Sequence, residues 1–199
     1  APRATPAAPD VAAIAARIKA AKKPVILMGG TACLDGGVRQ AGRIAATGVR
    51  TLMATFVARI ARGAGRFAPD KMMYFGEMAL ADLEGVDLMV LVETVEPVAF
   101  FAYPDRPSVL VPEGCATLTL STRQEDSVAG LAALADALGA PASGSVQPLK
   151  VADAAPTGPL TPQSAGVSIA RHLPEGAIIC DDAVTSAAAS PCPAVRPSR

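Results

Sequence analysis

The sequence predicts an α/β fold: a doubly wound, mainly parallel Rossmann-like sheet followed by a partial second α/β unit. Three observations predict it. The runs Pro24-Val25-Ile26-Leu27-Met28 and Val86-Asp87-Leu88-Met89-Val90-Leu91-Val92 are apolar almost throughout. Such strands must be covered on both faces, which parallel sheets achieve through helical crossovers. Segments with helical spacing alternate with these runs, and several stop at a glycine. Finally, the chain is rich in Ala, Gly and Val and has no Trp, a composition suited to close helix-on-sheet packing.

Residues 1–9 are Pro/Ala-rich and read as linker. Asp10 is an N-cap candidate for an Ala-rich helix reaching about Ala21. Residues 24–28 form a buried strand ended by Gly29-Gly30. Residues 38–47 carry apolar positions at helical spacing and stop at Gly48. Residues 50–54 give the next strand. A helix over residues 55–63 would set Arg59, Arg62 and Arg66 roughly on one face, which reads as solvated, with a phosphate clamp or a subunit contact as the alternatives. Residues 77–83 read as helix up to Gly85, and 86–92 as the strongest strand. Residues 108–111 and 116–120 are two further strands, and 126–138 is a helix ended by Gly139. Right-handed crossovers are the default for such a series. No internal repeat is visible.

Proline-rich stretches delimit the parts, because proline fixes φ and removes a donor. The first domain spans residues 10–140 and a linker spans 141–160. An incomplete α/β unit spans 161–190, and an irregular tail spans 191–199. In that second unit, Thr161-Pro162 opens a helix through Leu173, and residues 177–181 form a strand. The Ala run after Asp182 to Ser186 starts the next helix.

Composition removes several function classes. The chain holds 18 basic and 18 acidic residues, whereas a nucleic-acid binder should show a basic excess. It is 51% hydrophobic, which separates it from disordered sequences. Cys33, Cys115, Cys180 and Cys192 form no Cys-x-x-Cys pair and His172 is the single histidine, so no zinc site is expected. Scattered cysteines suit buried thiols in a reducing cytoplasm. No run approaches the ~20 apolar residues of a membrane span, and the N-terminus lacks a signal-peptide pattern. Its start, Ala1-Pro2-Arg3, reads as the tail of a linker cut from a longer protein.

Candidate ligand-binding groups gather at strand ends. The loop from Gly29, Gly30 and Thr31 to Gly37 follows the first strand, where α/β folds bind phosphates. It matches neither the dinucleotide fingerprint nor a P-loop, and a tight glycine turn is the competing reading. Glu93, Glu96 and Glu113 follow strand ends; a carboxylate there can hold a ribose hydroxyl, and solvation is the alternative. The cluster Phe100-Phe101-Ala102-Tyr103 reads as packing or a subunit contact. Thr185 and Ser186 stand before a predicted helix, as a diphosphate cradle or as plain N-caps. His172 reads as a helix-end residue. With one histidine there is no catalytic triad, and no Gly-x-Ser-x-Gly elbow or His-Glu-x-x-His pair is present.

The segments Lys22-Lys23-Pro24-Val25-Ile26-Leu27-Met28-Gly29-Gly30, residues 41–48 and Gly85-Val86-Asp87-Leu88-Met89-Val90-Leu91-Val92 together resemble the middle domain of thiamine-diphosphate (ThDP)-dependent enzymes. Residues 97–104 and 110–115 are similar to the acetolactate synthase large-subunit-like subgroup. Residues 159–162 and 177–186 resemble the linker and the opening of the diphosphate-binding domain. The resemblance covers about residues 10–190. It implies a homo-dimer or homo-tetramer of three-domain subunits that uses ThDP and Mg²⁺ on a small 2-oxo acid, for carbon–carbon ligation or decarboxylation. It also implies diphosphate contacts at Thr185 and Ser186, with Asp182 at a commonly acidic position. The N-terminal-domain glutamate and the Gly-Asp-Gly…Asn motif of the family have no counterpart here, so the chain alone is expected to be inactive. FAD-binding members place a Gly-x-Arg segment after the central strand and an Asp-rich stretch after the next one. Here those places read Glu93-Thr94-Val95 and Val111-Pro112-Glu113, which argues against FAD. The alternatives are a free-standing FAD- or NAD-type nucleotide module and an oligomerisation scaffold.

Overall fold

A computed structural model describes residues 2–102, 104–149 and 154–182. The chain divides into two units. The first is drawn from Ala1–Ala61 and Pro69–Ser145, the second from Arg62–Ala68 and Val146–Arg199.

The first unit is the expected doubly wound α/β domain. Its elements are α1 (Ala8–Ala20), β1 (Pro24–Met28), α2 (Asp35–Ala45), β2 (Arg50–Met53), β3 (Asp70–Lys71), α3 (Gly76–Asp82), β4 (Leu88–Val92), β5 (Ala116–Ser121) and α4 (Ser127–Leu138). The five strands lie in the order β3-β2-β1-β4-β5, and each pairing is parallel. Val25 faces Arg50 on one side and Met89 on the other, so the apolar runs of β1 and β4 lie in register.

Side chains alternate across the sheet. Val25, Leu27, Leu52, Met89 and Leu91 pack with Ala79 of α3 and with Leu83 just after it. The opposite face carries Ile26, Met28, Val90 and Val92, all buried, beneath α1, α2 and α4. Apolar strands were therefore a true sign of two-sided cover. Asp126 caps α4, accepting from the amides of Val128 and Ala129 at 3.0 Å each, and Gly139 ends the helix in the left-handed region. Arg50, at the start of β2, clamps the end of α3 through both oxygens of Asp82 at 2.9 Å.

Several predicted elements differ. Asp10 lies in the first turn of α1, and Ala7 stands at the N-cap. Residues 55–63 are not helical: Ala61 donates to the carbonyl of Cys33, and Thr55 Oγ1 to that of Met72. Arg59, Arg62 and Arg66 therefore do not share a helical face. Residues 108–111 contribute only an isolated antiparallel bridge between Val98 and Val109, because Pro97, Pro104, Pro107 and Pro112 deprive the region of amide donors. The two-residue strand β3 was not foreseen.

In the second unit, Gly65 donates to Gln147 and Gln147 to Arg66. Helix α5 (Pro162–His172) opens with a Thr161–Ser164 capping box. The predicted strand over residues 177–181 is absent: these residues have no regular secondary structure, and the described residues of this unit offer no neighbouring strand to pair with. Among its described residues, the second unit thus holds a helix and not the expected α–β pair. The predicted helix start at 183–186 and the tail at 191–199 lie outside the described residues.

Candidate functional site

From β1 the chain proceeds to β2 on one side, and from β4 to β5 on the other. The carboxyl ends of these two central strands form the topological switch point, where folds of this kind receive ligands. Two loops leave it, one through Gly29, Gly30 and Thr31 and one through Glu93.

Glu93 adopts φ 52°, a left-handed conformation rare for a side-chain-bearing residue. Its amide donates to Ser121 at 2.8 Å, continuing the ladder to β5. This turn sends the carboxylate inward, leaving the side chain 5% exposed. Oε2 accepts from the Thr31 amide at 3.0 Å, from the Ser127 hydroxyl at 3.0 Å and from the Thr31 hydroxyl. Ser127 is itself held by the Ser121 hydroxyl at 2.9 Å. Oε1 accepts from Nη1 of Arg3 at 3.3 Å, and the same nitrogen donates to Thr31 Oγ1 at 3.1 Å.

The N-terminal segment delivers that arginine. Ala4 bridges to Glu125, and the Asp126 amide donates to the Ala4 carbonyl at 2.7 Å. Pro6 is buried against Gly130, so residues 2–6 lie as a strap over the sheet's carboxyl end.

Burial pushes the Glu93 carboxyl up, but the hydrogen bonds from Thr31 and Ser127 and the Arg3 charge outweigh it. The carboxyl is held below the usual glutamate range and stays ionised at neutral pH. Burial, and secondarily the Glu93 charge, pushes the neighbouring Cys33 thiol up to about 11.

The glycines of the loop are there for close approach. A Cβ on Gly29 would lie 2.8 Å from the Glu93 carbonyl oxygen. Gly30 has φ 47°, and its Cβ would overlap the Glu93 carboxyl group. The three strand-end glutamates are not brought together: Glu96 is exposed and accepts from the Thr117 hydroxyl at 2.6 Å, and Glu113 is exposed. His172 closes α5, with Nδ1 2.8 Å from the Ser168 carbonyl oxygen. Asp182 is exposed at the end of the described segment; Thr185 and Ser186 lie outside the described residues.

A second feature was only half foreseen. Phe100 stacks on Tyr74 at 5.5 Å and meets Phe56 edge-on at 4.7 Å, while Phe75 and Phe101 flank Tyr74. Phe56 remains 66% exposed. The sequence pointed to Phe100 and Phe101 but not to Phe56 or Tyr74, and Tyr103 lies outside the described residues. Cys33 is buried as expected and Cys115 half-buried, whereas Cys180 is exposed; Cys192 is outside the described residues.

The residues at the switch point do not fit a dinucleotide as they stand, because Thr31's amide and hydroxyl are already spent on Glu93. Nor do residues 177–182, mostly exposed and without strand structure, form a ThDP diphosphate cradle by themselves. Among the described residues, no group of His, Cys, Asp and Glu is placed to hold a metal ion, and no helix is long and apolar enough to cross a membrane.

No family model matches the chain. A Mycobacterium tuberculosis protein named as an acetolactate synthase large subunit, IlvX, is 41% identical over 179 residues, covering 88% of this chain and 34% of that protein. Among solved structures, the ThDP-dependent 4-hydroxybenzoylformate decarboxylase of Rhodococcus jostii has a TM-score of 0.61 at 16% identity. Benzoylformate decarboxylase from Polynucleobacter necessarius has a TM-score of 0.55 at 18% identity. Each alignment covers 86% of this chain and 35% of the other. These two likenesses concern the fold, and the chain spans about a third of the length of the proteins it matches.

Proposed function

We infer, for a chain that belongs with the acetolactate synthase large-subunit-like members of the ThDP-dependent enzymes, that it is the non-catalytic part of a carboligase or decarboxylase of 2-oxo acids. Residues 10–140 are the middle domain, 141–160 the linker, 161–190 the opening of the diphosphate-binding domain and 191–199 a tail. The aligned stretch shared with the M. tuberculosis relative, together with the sheet order, carries this reading.

In the parent protein, bound ThDP would supply the thiazolium chemistry and Mg²⁺ would anchor its diphosphate. Thr185 and Ser186, with Asp182 beside them, would contact that diphosphate once the rest of the domain surrounds them. The parent would be a cytoplasmic homo-dimer or homo-tetramer. This chain would position the strap and the following linker and hold no reacting atom. Purified chain supplied with ThDP, Mg²⁺ and pyruvate is expected to show no turnover and no heat of ThDP binding; reproducible turnover would overturn the assignment of inactivity.

The exposed cluster of Phe56, Tyr74 and Phe100 favours one further role, as a packing surface within the assembled enzyme. A concentration-dependent dimer that Phe56→Ser weakens would support it.

A further inference from the structure

We propose that the switch-point crevice of the first unit is an anion site whose anion is built in. The Glu93 carboxylate stands where a dinucleotide diphosphate would bind, and it makes the domain refractory to FAD, NAD and ADP. This goes beyond the ThDP reading and does not depend on it.

The donor set is what an anion site requires: a backbone amide, two hydroxyls and a guanidinium converge on one point at the carboxyl end of a parallel sheet. Every one of these donors ends on Glu93. The backbone is shaped to place that carboxylate, since Glu93 takes a left-handed φ and Gly30 leaves out the Cβ that would collide with it. Burial of the carboxylate and the strap carrying Arg3 complete the enclosure.

An external diphosphate would meet a resident negative charge and spent donors. It would also compete with a group tethered a few bonds away, which has the advantage of effective concentration. Glu93 is therefore the residue that determines specificity at this crevice, and removing it should expose a vacant, pre-assembled anion cradle.

The test uses the full chain and two kinds of probe. In the first arm, wild-type protein is titrated with FAD and with ADP while the Thr31 and Gly30 amide resonances are followed. No saturable shift is expected up to roughly millimolar ligand; a saturable shift at these amides would overturn the proposal. In the second arm, Glu93→Gly removes the side chain and relieves the left-handed strain. Sodium formate, compared with chloride at equal ionic strength, should raise its Tm saturably and leave the wild-type Tm unchanged. A folded E93G protein that ignores both formate and pyrophosphate would also overturn the proposal. The wild-type arm needs no variant, so it decides the matter even if E93G does not fold. Failure of the ThDP assignment would appear as pyruvate turnover, which neither arm reads.

Discussion

Replacing Glu93 tests both its hydrogen bonds and its backbone. Glu93→Ala deletes a charged acceptor of two hydroxyls, one amide and one guanidinium. Hydrogen bonds to a charged group contribute roughly 1.5–3 kcal/mol each, but they are not additive, and water can enter the vacated space to serve Thr31. A net loss of about 2–4 kcal/mol follows, the lower part reflecting the desolvation that the carboxylate no longer suffers. Alanine keeps the Cβ in the left-handed region at φ 52°, which costs about 1–2 kcal/mol. Glycine relieves that strain but gains roughly 0.4–1 kcal/mol of unfolded-state freedom. Glu93→Gly should therefore be more stable than Glu93→Ala by about 0.5–1 kcal/mol. Urea denaturation at neutral pH, read as a change in midpoint at constant slope, measures both quantities. An alanine variant within about 0.5 kcal/mol of wild type would refute the buried-acceptor argument. An alanine variant more stable than the glycine one would refute the strain argument.

Other expectations rest on single observations. The Glu93 carboxyl sits below its ordinary value of 4.5, so its stabilisation is fully present above that pH and is lost as pH falls through the folded-state value. The stability gap between wild type and Glu93→Gln should accordingly shrink in acid urea titrations below about pH 4.5 and stay constant above it. Thr51 Oγ1 is buried without a hydrogen-bond partner among the described residues, so Thr51→Val should be neutral or stabilising by up to about 1 kcal/mol in the same assay. Cys33, buried with a thiol raised to about 11, should resist iodoacetamide at mildly alkaline pH until the protein unfolds. Exposed Cys180 should react at once, as peptide mass mapping of the alkylated chain would show.

What the sequence made legible was what local chemistry decides. The apolar runs of β1 and β4 can exist only between two helical layers, and Asp126 and Gly139 mark both ends of α4. The misses have equally physical causes. β3 is two exposed residues long and has no apolar pattern to reveal it. Residues 177–181 look like a strand because they are apolar, yet a strand exists only where another is present to pair with it. The arginine spacing after residue 55 would suit a helix, but the Ala61 amide and the Thr55 hydroxyl bond to the carbonyls of Cys33 and Met72, and the segment is a loop.

The site was legible in its parts but not in its wiring. Strand ends flagged both the Gly29-Gly30-Thr31 loop and Glu93, with an outside ligand set against a plain glycine turn for the one and simple solvation for the other. Thr31 and Ser127 lie 62 and 34 residues from Glu93 along the chain, so nothing local ties them together. One signal was available: a glutamate directly after a wholly buried central strand has no water to face and needs a set of donors. The glycine loop opposite it is then better understood as making room for that carboxylate than as waiting for a phosphate. The geometry that would bind a ligand and the geometry that buries a glutamate require the same donors. They differ only in which molecule carries the charge, and here the chain carries it in Glu93.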